Sequence, residues 1–537
     1  MERLRFAVLS NGRSFARWQL DCLARLEAVA DLAVVIVGQE GSAPRAAPVS
    51  LTLYARLVDP GSIEVGATQL GHVPRVAVDQ LGSVEPGSWD FVLKLGAGPT
   101  PSGLEHLTRL GVWYFEHETR ADRLPFLREV YDGVDITRAA LLALRPDRSD
   151  PDVLEEGFFR TEQRSYRTSR DRVLAGIAAW PARATSRAGV GAARRLGASP
   201  PARPSSREPG RVRFLLYCAR VTRRRLSFAW GRLFRHPQWN IGTLDAPVGS
   251  LIVPGAYDDE RIEWLPQDSR EAFLADPFGI VRDGSLHVLC ESFRYDESLG
   301  RVCTFEIGSD GTATTPVRAI ELAGHASYPF LVEGGDESPD AIYCVPETST
   351  ADELALFRAD DFPHTWSKLA VLIPGLACVD PTVFRHAGSW WLFGTRRGAL
   401  EDVELWIWHA PSLLGPWTEH ALNPVKTDVR SARPGGPPFH HEGALYRPAQ
   451  DCSRTYGWRI ALQRVTRLTA TEFFEEPVAV LEASPRSSFP HGRHTLTPVG
   501  DRVLVDGRRD VFVWAALLAF LKIWGADLSG RIGRGRR

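Results

Sequence analysis

At 537 residues the chain is too long for a single hydrophobic core and calls for two or three domains. Its 64 basic and 65 acidic residues balance, which removes any bulk electrostatic reason to expect a nucleic-acid partner. The seven cysteines are scattered without a C-x-x-C pair and read as buried free thiols.

Met1-Glu-Arg-Leu-Arg5 passes straight into a short strand with no secretory pattern, so a cytoplasmic location is expected. Residues 5–9 and 32–37 are continuous apolar runs of strand length. Between them Phe15, Trp18, Leu20, Leu23 and Leu26 recur at helical spacing, and strand, helix, strand implies a parallel α/β unit with a buried sheet. Further strands are expected at Asp90–Leu95 and Gly111–Phe115, with a helix at about 102–110, in an α/β domain over 1–178. Residues 179–212 are rich in Ala, Arg, Pro, Ser and Gly and read as a partly disordered linker. From 213 to 508 short strands alternate with turn signals such as Arg282-Asp-Gly284 and His386-Ala-Gly388. Residues 509–537 form an apolar, then basic tail. Its run Val511–Trp524 contains Lys522 and falls short of the roughly 20 residues a membrane span needs. Two readings of it stand: a helix docked on the fold, or an interfacial anchor making the protein membrane-peripheral.

A repeat organises the β region. Asp276-Pro277, Tyr328-Pro329 and Asp380-Pro381 each lead into an apolar strand, and each lies 52 residues from the next. A weaker copy ends in Arg447-Pro448, and Arg493-His-Thr-Leu-Thr-Pro498 gives a fifth start. Short strands repeating at this period imply a β-propeller, here five-bladed, with each blade's opening residue at a central pocket.

Several motifs carry a resemblance: Trp239-Asn-Ile-Gly242, Phe273-Leu-Ala-Asp-Pro-Phe278, Ser327-Tyr-Pro-Phe330, Pro346-Glu-Thr348, Leu414-Gly-Pro-Trp417 and Tyr446-Arg-Pro-Ala-Gln-Asp-Cys452. On these the region 239–508 resembles the N-terminal domain of glucosamine inositolphosphorylceramide transferases, which is similar in turn to the five-bladed fold of arabinanases and β-xylosidases. The first domain resembles, more weakly, the formyltransferases, in Phe91-Val-Leu-Lys-Leu-Gly96, Gly111-Val-Trp113 and Phe126-Leu-Arg-Glu-Val130.

The glycosidase resemblance implies Asp276 as base and Asp380 as the orienting, pKa-tuning acid. The position of the proton donor falls on Arg433, which cannot donate at working pH. Glu347 is then the substitute acid. Around these catalytic candidates, Tyr328, Glu291, Arg433, Arg447, Gln450, Asp451 and His494 are the substrate-binding candidates. An Asp before proline also caps turns, and an Asp–Arg pair also joins blades. In the first domain Tyr114 and Glu116 stand where active formyltransferases present Asn and His, which implies a degenerate scaffold. The expectation is a propeller recognising a glycan or glycolipid head group, alongside a glycosyltransferase and with no cofactor. Nothing nominates a metal except His494. An active glycosidase and a sugar-amine formyltransferase are the alternatives.

Overall fold

The computed structural model describes residues 3–10, 14–37, 54, 63–64, 73–96, 100–119, 124–147, 150–189, 211–267, 271–308, 310–336, 338–348 and 351–512. The chain divides into two compact units, residues 1–225 and 226–537.

Among the described residues the first unit has nine strands: β1 (Leu4–Ser10), β2 (Ser14–Phe15), β3 (Ala30–Val37), β4 (Ile63–Glu64), β5 (Arg75–Ala77), β6 (Phe91–Leu95), β7 (Val112–Phe115), β8 (Ile136–Leu144) and β9 (Asp152–Arg160). Seven of them form one sheet in the order β5-β3-β1-β6-β7-β8-β9. The first five run parallel, as the apolar runs imply, while β8 and β9 add an antiparallel hairpin. The hairpin escapes a period-two reading because the middles of both strands are buried. The helix Arg17–Glu27 buries Gln19, Cys22, Leu23 and Leu26, one stripe at helical spacing.

Residues 180–189, taken from composition as linker, are a helix instead. Trp180, Ala184 and Arg187 are buried, and Arg187 forms a buried ion pair with Glu155 of β9. The alanines that lower the apolar content are the best helix formers, and one tryptophan is enough to dock the helix. Residues 190–210, the rest of the expected linker, lie outside the described residues, as do residues 513–537 of the tail. The helix Arg211–Phe234 precedes the β region. Among the described residues no helix is long and apolar enough to cross a membrane.

The second unit opens with β10 (Arg235–Leu244) and β11 (Glu263–Trp264), which complete its last blade. The first blade is β12 (Ala272–Arg282), β13 (Ser285–Arg294), β14 (Leu299–Ile307) and β15 (Val317–Arg318). The second is β16 (Ser327–Glu333), β17 (Ile342–Glu347), β18 (Glu353–Asp361) and β19 (Thr365–Pro374). The third is β20 (Cys378–His386), β21 (Ser389–Arg396), β22 (Glu404–Ala410) and β23 (Thr418–Glu419), with β24 (Lys426–Thr427) also pairing on β22. The fourth is β25 (Phe439–His441), β26 (Ala444–Asp451), β27 (Arg459–Leu468) and β28 (Phe473–Glu482). The fifth runs β29-β30-β10-β11, with β29 (Leu496–Val499) and β30 (Arg502–Phe512) joined to the strands that began the unit. These five antiparallel sheets are the five blades expected from the repeat.

The first two strands of three blades are joined by tight hairpins at Asp283-Gly284, Ala387-Gly388 and Glu442-Gly443, both residues in each having positive φ. Apolar side chains fill the space between blades, with Phe278, Tyr328, Phe330, Trp390 and Trp408 in one buried cluster. Trp390 and Trp391 are both buried, their indole N–H groups donating to Asp336 and to the His386 carbonyl. The seven cysteines are free thiols.

Candidate functional site

The inner strands β12, β16 and β20 share one irregularity. Each skips register against its partner at the X-Pro step, between Ala275 and Phe278, Ser327 and Phe330, and Val379 and Thr382. The X residues Asp276, Tyr328 and Asp380 have φ of 52°, 43° and 49°. A left-handed residue at a bulge re-aims one side chain out of the pleat, and three blades do it at equivalent places.

The second strands supply a matching ring. Glu291, Glu347 and Thr395 stand opposite Ala275, Ser327 and Val379. In the fourth blade the Gln450 N–H donates to the Arg433 carbonyl, and in the fifth the Asp506 N–H donates to the Thr495 carbonyl. The fourth blade therefore opens at Arg433-Pro434, and Arg447, taken from the repeat as its opening residue, lies on the second strand β26. The irregular inner edge before β25 hides the true opening from a search for strand-forming repeats.

Around Asp276 the fifth blade closes in. Thr495 Oγ1 donates to Asp276 Oδ1 at 2.7 Å and the Tyr328 N–H reaches Oδ2 at 3.3 Å, while the Asp276 N–H donates to Asp506 Oδ2 at 3.2 Å. His494 Nδ1 is in short contact with Asp506 Oδ2 and lies 3.7 Å from Asp276 Oδ1. The imidazole stacks on Trp239 with centroids 3.9 Å apart and meets the edge of Tyr456 at 5.3 Å. Burial pushes the Asp276 carboxyl up to about 6, against the lowering influence of His494. Burial opposes charge on His494 too, yet the Asp506 and Asp276 carboxylates raise it above the ordinary imidazole value. Against burial, the His494 charge and its hydrogen bonds hold Asp506 below the usual carboxylate range.

Asp276, His494 and Asp506 each offer a ligand atom, all within 4.8 Å of one another. Two carboxylates and an imidazole suit a divalent cation. A proton shared between His494 and Asp506 competes for the same atoms, so proton and cation exclude each other there.

Asp380 is held from the fourth blade. Arg433 Nε donates to its Oδ2 at 2.5 Å and Nη2 to Oδ1 at 3.4 Å, while Gln450 Nε2 donates to Oδ2 at 2.7 Å. Arg433 also reaches Asp402 at 3.1 Å and lies over the Tyr456 ring. The Asp380 N–H donates to Glu347 Oε2 at 3.1 Å. Burial raises Asp380 to about 6, with Arg433 pulling the other way. Tyr328 turns its hydroxyl to Thr382 Oγ1 at 3.0 Å and accepts the Gly436 N–H at 2.9 Å. Two buried acceptors beside this clamp, Gln450 Oε1 and Thr395 Oγ1, have no hydrogen-bond partner among the described residues.

Burial, then the neighbouring Asp276 and Glu347 charges, push the Glu291 carboxyl well above the usual range. His325 Nε2 lies 3.7 Å from Glu291 Oε1, while its Nδ1 accepts the Gly300 N–H at 2.9 Å. The neutral imidazole therefore carries its proton on the nitrogen facing Glu291.

Of the sequence candidates, Asp276, Tyr328, Asp380, Glu291, Glu347, Arg433, Gln450 and His494 come together in this network. Arg447 and Asp451 do other work. Arg447 pairs with Glu475 at 2.7 Å and donates to the Ser431 carbonyl at 2.5 Å, clamping the segment that carries Arg433. Asp451 accepts from Ser453 N and Arg459, within its own blade and the loop that follows. Sequence reading missed Asp506, Thr495 and the seating of His494 on Trp239. Asp506 stands in a second strand with no proline to mark it, and Trp239 lies more than 250 residues earlier. In the first unit Glu116 is ion-paired to Arg138, which also binds Glu156 at 2.5 Å.

Residues 265–490 match the family model described as glucosamine inositolphosphorylceramide transferase 1, N-terminal. The protein named glucosamine inositolphosphorylceramide transferase 1 from Oryza sativa subsp. japonica is 39% identical over 213 residues, which cover 38% of this chain and 28% of that protein. Its Arabidopsis thaliana namesake is 36% identical over 219 residues, 40% of this chain and 28% of that one. The chain thus spans little more than a quarter of these relatives, within the propeller, which resembles their N-terminal domain as the motifs indicated. Among solved structures, Zg3597, a family 117 glycoside hydrolase from Zobellia galactanivorans, is 14% identical with a TM-score of 0.32, covering 52% of this chain and 91% of its own. The α-L-arabinofuranosidase PaAbf62A from Podospora anserina is 14% identical with a TM-score of 0.34, covering 49% and 85%. Similarity at this level carries no weight here, and the five-blade description rests on the strand pairing above.

Proposed function

We propose, with the resemblance to those N-terminal domains as premise, that the propeller recognises the carbohydrate head group of a glycolipid or other glycoconjugate. It serves glycan or glycolipid synthesis as a binding or presenting module, working with a glycosyltransferase. One observation carries the reading. Asp380 is saturated by Arg433 and Gln450, no carboxylic acid opens the fourth blade, and beside this clamp two buried acceptors, Gln450 Oε1 and Thr395 Oγ1, lack donors. Unsatisfied buried acceptors call for a donor, which an ordered water or a sugar hydroxyl supplies. Both oxygens of Asp276 accept hydrogen bonds within the fold, from Thr495 Oγ1 and from the Tyr328 N–H.

The test is a glycan array with the full chain, wild type beside Gln450→Ala and Asp276→Asn, paired with release assays on arabino- and xylo-oligosaccharides. Binding without release is expected, weakened about tenfold or more by Gln450→Ala. Binding to no glycan, or loss-free binding by Gln450→Ala, would count against the reading.

A hydrolytic reading has one observation in its favour: burial and the neighbouring Asp276 charge push the Glu291 carboxyl well above the usual range, beside an Asp276 raised to about 6, the kind of acid and base pairing that glycosidases use. It requires oligosaccharide release that disappears in both Glu291→Gln and Asp276→Asn. For the first unit we read a scaffold without formyl transfer, since Glu116, at the position of the family histidine, is spent on Arg138.

A further inference from the structure

A surface helix needs one apolar stripe, and the helix Arg211–Phe234 has two. Phe214, Tyr217 and Val221, at i, i+3 and i+7, are buried in a cluster with Leu127, Val130 and Tyr166. Val212, Leu215 and Leu216 are exposed, Val212 by 72% and Leu215 by 66%. At about 100° per residue these three fall within an arc of roughly 100°, centred opposite the buried stripe.

The charge of the helix is as one-sided as its exposed face. Its sequence RVRFLLYCARVTRRRLSFAWGRLF holds seven arginines and no acid, in a chain whose net charge is -1. Arg220, Arg224 and Arg225 donate to the carbonyls of Tyr131, Gln163 and Arg164, contacts that leave the positive charge uncompensated.

We propose that this exposed face docks on an anionic lipid surface. Leucine and valine side chains enter the headgroup boundary, and the flanking arginines meet lipid phosphates and carboxylates. Charge complementarity selects this occupant. A second copy of the helix would set seven positive charges against seven, and the chain's own segment 513–537 is also basic, with Lys522 and four arginines against Asp527. The helix lies in the interface and does not span, being too charged to cross a bilayer. The inference stands apart from the glycan reading, because the membrane need carry no glycan.

The experiment is co-sedimentation of the full chain with vesicles of phosphatidylcholine containing one-third phosphatidylserine, and with phosphatidylcholine alone. The wild type is expected to pellet with the anionic vesicles only and to be released by high salt. Leu215→Gln/Leu216→Gln should weaken binding by about tenfold or more, and Val212→Gln should weaken it less, at unchanged circular dichroism. Equal pelleting of variants and wild type, indifference to phosphatidylserine, or loss of binding only on removing 513–537 overturns the proposal. So does a wild-type dimer in vesicle-free solution that Leu215→Gln/Leu216→Gln dissociates, which gives the face to a second copy.

Discussion

Arg433 and Arg447 are both buried arginines of the fourth blade, and their removal leaves different groups stranded. Arg433→Ala abandons Asp380 among other acids, while Arg447→Ala abandons Glu475, which retains Lys426 at 2.7 Å. Removing one partner of a buried pair costs about 3–5 kcal/mol, so both variants should lose stability in urea unfolding, Arg433→Ala at the upper end. A double change, Arg433→Met with Asp380→Asn, should recover most of that loss, because the fully buried charge is gone and only the part-exposed Asp402 loses its arginine. Titration gives a second prediction at this scale. Asp276 and Asp380 are raised to about 6 in the folded chain from an ordinary 3.8. A raised folded value contributes stability that is complete below the unfolded pKa and lost as pH climbs through the folded one. The melting midpoint of the propeller should therefore fall between about pH 4 and about pH 7, and Asp380→Asn should flatten the profile. A midpoint that rises across this range, with the wild type and Asp380→Asn in parallel, contradicts the assignment.

Three blades use the same element, a strand bulged at X-Pro, and this repeat was the most legible feature of the sequence. Its regular 52-residue spacing placed Asp276, Tyr328 and Asp380 correctly, because proline and the turn glycines punctuate strands at fixed positions. The fourth blade was misread at Arg447, since its opening Ser431–Gly436 is irregular chain held by hydrogen bonds rather than by strand pattern. That irregular chain is tightly fitted. Gly436 has φ 131°, and a methyl group there would lie 1.9 Å from the Leu496 carbonyl oxygen. Gly436→Ala should cost more than about 2 kcal/mol in unfolding experiments and shift the Arg433 clamp with it, whereas Gly284→Ala, a hairpin glycine with open space around its added carbon, should cost about 1. In the first unit the parallel core was legible from continuous apolar runs. The hairpin β8–β9 and the helix Trp180–Gly189 were not, the first for want of alternation, the second because its arginine finds a partner only in three dimensions.

At the scale of the whole propeller, one blade is made from both ends of the unit. β10 pairs with β30 over ten residues, Arg235 opposite Phe512 through Leu244 opposite Val503, and the rings of Phe234 and Phe512 stack at 5.7 Å. Deleting 502–512 removes the second strand of that blade together with Asp506, so loss of the near-ultraviolet tryptophan signal and of cooperative melting is expected. A truncated chain that still melts sharply would show that four blades close without the fifth. The same pairing sets how the molecule responds to force. Because residues 235 and 512 lie at the same end of an antiparallel ladder, tension applied through the flanking chain separates the two strands rung by rung, as a zipper opens. Shearing would load every hydrogen bond at once. This propeller's seam is chemically stable yet mechanically weak, and it is the place where a pulling machine would begin to dismantle it.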